Sequence, residues 1–197
     1  MLIFWEQELV FLATPKTGST AIEVALESLA SVAMQRPATL KHITARQYRA
    51  HLSPLLNETA RARFTTVALM REPIGWLRSW YRFAQRDELD DPVHALHGCS
   101  FDAFAQAYAT GDAPGFPRID SQSDFLCDAQ GHPLVDRIFR YEDMDTFVQF
   151  LEDRLDCAIT LPRVNVPPAA DVNLSAATEA RLRSAMGADF ALYAGLR

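Results

Sequence analysis

Lys16, Thr17, Gly18, Ser19 and Thr20 place an ammonium, a glycine and three hydroxyls in consecutive positions of the stretch FLATPKTGSTAIEVALESL. The chain has 19 basic residues, yet only Lys16 and Lys41 are lysines. The chemistry that such a group suits is the holding of a phosphate-like anion. A glycine-bearing turn that opens a helix leaves free backbone N–H groups at the positive end of the helix dipole, and hydroxyls and a mobile ammonium add to them. The order differs from the nucleotide loop G-x-x-x-x-G-K-[ST], because the lysine precedes the glycine and the earlier glycine is missing. The same residues also suit an ordinary capped turn with a solvated lysine. A second set, in MREPIGWLRSWYRF, tips the balance. Arg71 follows an apolar run directly, Pro73 suits the first position of a helix, and Ser79 lies about two helical turns further on. A guanidinium and a hydroxyl there suit a second phosphate.

Elements must bring these two sets together. Leu9 to Ala13, LVFLA, is a short continuous apolar run and reads as a buried parallel strand. From Ser19 onward Ile22, Leu26 and Leu29 recur at helical spacing with Glu23 and Glu27 between them, which predicts an amphipathic helix. Val67 to Met70 predicts a second buried strand, followed by the helix that Pro73 begins. Between the two units HITARQYRAHLSPLL predicts one crossover helix, capped by Thr44 and ending near Pro54. Further on, FDAFAQAYA predicts a helix inside a loop-rich stretch from Asp87 to Asp124. A turn at Ala129 to Pro133, a strand from Val135 to Tyr141 and a helix over MDTFVQFLEDRL follow, and Ser175 caps a helical C-terminal stretch. The expected fold class is α/β in three layers, a mainly parallel sheet flanked by helices, within a single domain over residues 1–197.

In these two motifs the chain resembles the sulfotransferases that use 3′-phosphoadenosine 5′-phosphosulfate (PAPS). That family carries P-K-[ST]-G-[ST]-[ST] after one strand, matched by PKTGST, and later an R-x-P segment with an arginine-flanked serine and aromatics, matched by REPIGWLRSWYRF. QSDFLCDAQGHPLVDRIFRYEDM and ADFALYA are similar to the carbohydrate-type branch. The resemblance implies a P-loop-like sulfotransferase fold, with PAPS as sulfuryl donor and no metal requirement. By position, Lys16, Thr17, Gly18, Ser19 and Thr20 would hold the 5′-phosphosulfate, and Arg71 and Ser79 the 3′-phosphate. Lys16 would also balance charge on the leaving oxygen. The acceptor would be a carbohydrate or glycolipid, met by the insertion around 87–124, with Gln122, Ser123 and Asp124 on the acceptor side. The chain departs from relatives in lacking the Golgi membrane anchor and the late glycine-rich nucleotide segment.

A histidine near neutral pKa suits the base that takes the acceptor proton, and His42 in LKHITARQ is the first candidate. A capping or surface role suits His42 equally. Glu23 is the second candidate, although a solvated helix position suits it better, and Lys41 adds positive charge near the sulfuryl group or is exposed. His94, His97 and Cys99 offer three zinc-ligand side chains but no fourth at usual spacing. Trp76, Trp80 and Tyr81 read as packing residues, Arg78 and Arg82 as solvated or nucleotide-facing, and Asp87 to Asp91 as a solvated loop. The formal net charge of −6 disfavours nonspecific nucleic-acid binding. Glu6, Gln7 and Glu8 interrupt the N-terminal apolar residues, so no signal or anchor is expected and the location would be cytoplasmic. Cys99, Cys127 and Cys157 read as reduced, mostly buried thiols. Two other functions fit the motifs: a small-molecule or nucleoside kinase with a degenerate loop, and a phosphonucleotide-binding module without turnover.

Overall fold

Short runs with almost no polar residue suit strands whose two faces are both covered, and that is where LVFLA and TTVALM lie. The computed structural model describes residues 1–85, 98–111, 119–164 and 169–196. Among them, strands β1 (Leu2–Phe4), β2 (Leu9–Leu12), β3 (Val32–Ala33), β4 (Thr65–Met70) and β5 (Arg137–Arg140) form one sheet in the order β3-β1-β2-β4-β5. β2, β4 and β5 are parallel neighbours, with Phe11 opposite Val67 and Leu69 opposite Phe139. β1 runs antiparallel to both β2 and β3, so the protein is α/β with a mixed, mostly parallel sheet.

The β1–β2 hairpin was not expected from the sequence. Glu6, Gln7 and Glu8 do not interrupt a single apolar segment; they form the turn between two strands, with Glu8 at φ 49° and its N–H donating to the Trp5 carbonyl at 3.1 Å. The first predicted strand therefore has a parallel neighbour on one side and an antiparallel one on the other.

Alternation along the strands divides the core. Ile3, Val10, Leu12, Ala68 and Met70 face one side. There they meet Ala45 of α3 (Ala45–Gln47) and Phe125 of α7 (Gln122–Leu126). Leu2, Phe4, Phe11, Val67 and Leu69 face the other side, under Ile22 of α1 (Ser19–Leu26) and Phe147 of α8 (Met144–Leu155). A third cluster joins α5 (Pro73–Ala84), α6 (Phe101–Thr110) and α9 (Ala176–Ala185) through Trp76, Tyr81, Phe104 and Leu182. The helix expected in FDAFAQAYA is α6, and Trp76 and Tyr81 are core residues. The acidic run Asp87 to Asp91, and with it much of the predicted loop-rich stretch, lies outside the described residues, as do His94 and His97.

The crossover differs from the expected single helix. Short α2 (Ala38–Lys41) precedes it, and Thr44 caps α3 in a reciprocal box with Gln47. Tyr48–Leu52 then forms a π-helical segment, and Pro54 opens α4 (Ser53–Ala60) instead of ending a helix. A proline in a first turn gives up an N–H that has no intrahelical partner, so it starts a helix as readily as it stops one. The C-terminal stretch divides at Met186 into α9, capped by Ser175, and α10 (Gly187–Gly195). Of the cysteines Cys127 is buried, while Cys99 and Cys157 are half-buried, and all are free thiols. No helix among the described residues is long and apolar enough to cross a membrane.

β5 begins later than the predicted Val135 because Asp136 turns its carboxylate onto β4. Its Oδ2 accepts from Thr66 N at 2.8 Å and from Thr66 Oγ1 at 2.7 Å, and its own N–H donates to Thr66 Oγ1 at 2.9 Å. Arg63 and Arg49 complete the cluster. Burial alone would raise the Asp136 pKa, but the Thr66 bonds and the two arginines outweigh it and the net shift is downward. A depressed carboxyl pKa contributes stability above the unfolded value near 4, and that contribution is lost as pH falls through the folded one. Asp136→Ala is therefore expected to lower unfolding free energy by about 1–3 kcal/mol at pH 7. Urea denaturation should show the gap narrowing below about pH 4.

Candidate functional site at the ends of two parallel strands

β2 and β4 lie side by side and leave the sheet at the same edge, so the turns that follow them are neighbours. In the first, Lys16 has φ 64° and Gly18 φ 75°. Left-handed backbone at a lysine costs about 1–2 kcal/mol and persists only where the surroundings enforce it. Trp76 Nε1, on α5, donates to the Pro15 carbonyl at 3.0 Å and ties the turn to the second unit. A Cβ on Gly18 would stand 3.2 Å from Tyr141 Cε2, so glycine is required for both conformation and space. Gly18 precedes α1 with no side-chain cap, and the first turn of α1 holds no acidic residue. Its N-terminal N–H groups are thus left for another acceptor.

The hydroxyls divide their work. Thr17 is fully buried and its Oγ1 donates to the Thr14 carbonyl at 2.9 Å, shaping the turn from within. Thr20 Oγ1 accepts from Lys41 Nζ at 3.1 Å, which leaves its own proton to donate outward. Ser19 is 4% exposed at the start of α1. The Lys16 ammonium lies 3.7 Å from the Phe83 ring centroid and 5.2 Å from that of Trp80, a cation–π shelf on α5. Ser79 is partly exposed on the same helix, one residue before Trp80.

Arg71 enters from the end of β4. Its Nη1 lies 3.5 Å from the Lys16 carbonyl, and its guanidinium stacks 4.5 Å from the Tyr141 ring centroid. It is half-buried, and among the described residues it forms no ion pair with a carboxylate. Burial is the main influence on its pKa and lowers it; Tyr141 and Glu142 oppose that shift and Arg82 adds to it. An arginine keeps its charge regardless. Arg82 therefore lies close enough to act on Arg71, whereas Arg78 stacks 5.8 Å from the Phe101 ring centroid and is not a solvated arginine.

The residue-71 peptide is held by a buried amide. Gln122 accepts from Arg71 N at 2.9 Å and donates Nε2 to the Arg71 carbonyl at 2.8 Å. Gln122 is held in turn by Asp189 on α10, which is 1% exposed and accepts from Ser123 N at 2.7 Å and Gln122 N at 3.3 Å. Burial pushes the Asp189 carboxyl up, against the hydrogen bonds it accepts. Sequence reasoning assigned no role to Tyr141 or Asp189. Only the familiar segments RYEDM and ADFALYA pointed to them, because their partners lie more than fifty residues away.

His42 follows α2 and reaches the end of β2, where its Nδ1 lies 2.6 Å from the Ala13 carbonyl. A carbonyl only accepts, so Nδ1 carries the proton and Nε2 of the neutral ring is left with a lone pair. Glu23 is 2% exposed, which overturns the solvated reading. Its Oε2 meets Lys41 Nζ at 2.6 Å and its Oε1 the chain's α-amino group at 3.1 Å. A buried carboxylate needs such partners. The pair also explains Lys41, which is neither exposed nor loose but joins α1 to the segment that carries His42.

A cavity of about 250 Å³ opens beside the turn, lined by Thr14, His42, Trp76, Trp80, Gln122 and Phe125 among others. Of the predicted site residues His42 lines this cavity, while Lys16 to Thr20 and Arg71 lie outside its lining and Arg71 reaches the Lys16 carbonyl. Among the described residues no cluster of three or more histidine, cysteine or acidic side chains suits a metal ion. Compared with known proteins, the chain matches no family model and no curated sequence.

Burial, the largest influence on His42, lowers its pKa; the Ala13 bond opposes that shift and Lys41 adds to it. A histidine kept neutral in this way stabilises the fold fully above the unfolded pKa near 6.5 and less as pH falls below it. NMR titration is expected to give His42 a midpoint below 6.5 with the Nδ1–H tautomer at pH 7.5. A midpoint above that value, or an Nε2–H tautomer, contradicts the geometry.

Proposed function

We propose that the protein binds PAPS and transfers its sulfuryl group to a hydroxyl or amine of a carbohydrate-containing acceptor, within a P-loop-like sulfotransferase fold. The observation that carries this reading is Arg71: a half-buried guanidinium with no carboxylate partner among the described residues, 3.5 Å from the carbonyl of Lys16 in an uncapped glycine turn. Two anion-holding groups on adjacent strand ends suit a ligand with two separate phosphates. ATP has a single chain of them.

The residues fit such a ligand. The N-terminus of α1 with Lys16, Ser19 and Thr20 suits the phosphosulfate, and Arg71 with Ser79, aided by Arg82, suits the 3′-phosphate. PAPS supplies an activated sulfuryl group, and what remains for the protein is positioning and charge. His42 Nε2 accepts the proton of the acceptor group as that group attacks sulfur. The sulfur to bridging-oxygen bond breaks, its electron pair stays with adenosine 3′,5′-bisphosphate, and Lys16 balances the charge. Glu23, with both oxygens held by ammonium groups, is the weaker candidate for the base and the better one for positioning Lys41.

Calorimetry with adenosine 3′,5′-bisphosphate against ATP tests the nucleotide class, with binding of the former and not the latter expected. Arg71→Ala should weaken that binding by about 10–100-fold. Lys16→Ala should lower transfer by about 100–1,000-fold while leaving a folded chain. Mass spectrometry of the product decides the reaction. Magnesium-dependent phosphorylation from ATP would make the protein a kinase, and nucleotide binding with no sulfated product under any acceptor would make it a binding module.

A further inference from the structure

An anion site at the end of β4 needs the Arg71 guanidinium in one place, and the contacts around its peptide lead to α10. Arg71 N donates to Gln122 Oε1 at 2.9 Å, and Gln122 Nε2 donates back to the Arg71 carbonyl at 2.8 Å. One side-chain amide thus grips both polar groups of residue 71. The next peptide is held from another element, since Glu72 N donates to Glu142 Oε1 at 3.0 Å. Both holders are themselves held by α10. Asp189 accepts from the Gln122 and Ser123 N–H groups, and Tyr193 Oη donates to Glu142 Oε2 at 2.8 Å. Positions 189 and 193 are one helical turn apart and share a face. Arg140 seats the end of α10, with Nη2 2.7 Å from the Leu196 carbonyl and its guanidinium 4.8 Å from the Tyr193 ring centroid. Gln122 and Asp189 are each 1% exposed, so no bulk water stands in for a lost bond.

We propose that α10 is the positioning element for Arg71: Asp189 acts through Gln122 to set the residue-71 peptide, and Tyr193 acts through Glu142 to keep a carboxylate off the guanidinium. This deepens the reading of Arg71 as a holder of the 3′-phosphate and rests on it. A long side chain carries any turn of its own peptide out to its tip. A loosened clamp therefore displaces the guanidinium from the Lys16 carbonyl and the Tyr141 ring. Glu142 follows Tyr141 directly, and its charge acts on Arg71. With one oxygen on Glu72 N and the other on Tyr193, that carboxylate is engaged at both ends. Freed on one side, it pairs with the guanidinium and competes with phosphate for the same fork of N–H groups. Charge alone gives the opposite sign. Removing a carboxylate near an anion site favours the anion, so a loss of anion binding in Asp189→Asn reports position.

The test is calorimetry of the full chain with adenosine 3′,5′-bisphosphate, on variants whose folding is checked by urea denaturation. Gln122→Met keeps the length of the side chain and removes both bonds; it should weaken binding about tenfold, and Asp189→Asn about fivefold. In an Arg71→Ala background Gln122→Met should cost less than about twofold, because its effect runs through the guanidinium. Tyr193→Phe should weaken binding about threefold, the scale of an exposed ion pair, and Glu142→Gln in the same chain should restore it. Glu142 is exposed and Tyr193 half-buried, so these two changes keep the test open if the buried variants do not fold. Unchanged affinity in Gln122→Met, equal penalties with and without Arg71, or a Tyr193→Phe loss that Glu142→Gln does not recover overturns the proposal. A ligand-free readout separates it from the nucleotide reading. In nitrogen-edited NMR the Arg71 Nε–H signal should move in Tyr193→Phe and return in the double variant, and a signal that stays in place overturns the proposal. If the native chain binds no adenosine 3′,5′-bisphosphate, the sulfotransferase reading falls and the NMR result decides the role of α10. If it binds and the variants match the native chain, only the role of α10 falls.

Discussion

The parallel pairing of β2 with β4 is the constraint on which the rest depends. Leu9 to Leu12 lie opposite Thr65 to Ala68, and parallel neighbours end at the same edge of a sheet. Whatever turn follows one strand must then lie against whatever turn follows the other. A slip of one residue would turn Phe11 and Leu69 toward the opposite core and move Arg71 off the Lys16 carbonyl. The register is held by burial on both faces and, next door, by Asp136 gripping Thr66.

On that frame the site is assembled by pairs of contacts that each join distant parts of the chain. Trp76 holds the first turn from α5, Gln122 holds the Arg71 peptide from α7, and Asp189 holds α7 from α10. Tyr141 fills the space between Gly18 and the Arg71 guanidinium. Each contact uses a buried polar group that is costly to leave unpaired, and this makes the cleft stiff.

Charge is arranged with similar economy. The chain is acidic overall, yet Arg71 reaches the Lys16 carbonyl at the strand edge and Arg82 on α5 lies close enough to act on it. Lys41, the other lysine, is held by Glu23 and Thr20. His42, bonded to the Ala13 carbonyl, lines the cavity, and burial lowers its pKa, with Lys41 adding to the shift. A neutral ring there accepts a proton, which a charged one does not.

The residues by themselves determined the local parts of this protein. Apolar runs, Pro73, Gly18, Thr44 and Ser175 announce strands, turns and caps through interactions within a few positions, and the PKTGST and REP turns are legible for the same reason. What the chain order left undecided was every partner far away. Glu6 to Glu8 looked like an interruption until a strand was seen on each side, and Pro54 like a stop until α4 began with it. Glu23 looked solvated until Lys41 and the α-amino group were seen to surround it. Tyr141, Asp189 and the clamp made by Gln122 carry no local signature, because their geometry exists only once strands and helices remote in sequence are packed on one sheet. Burial and pairing are properties of the folded surroundings, so only the tertiary structure decided them.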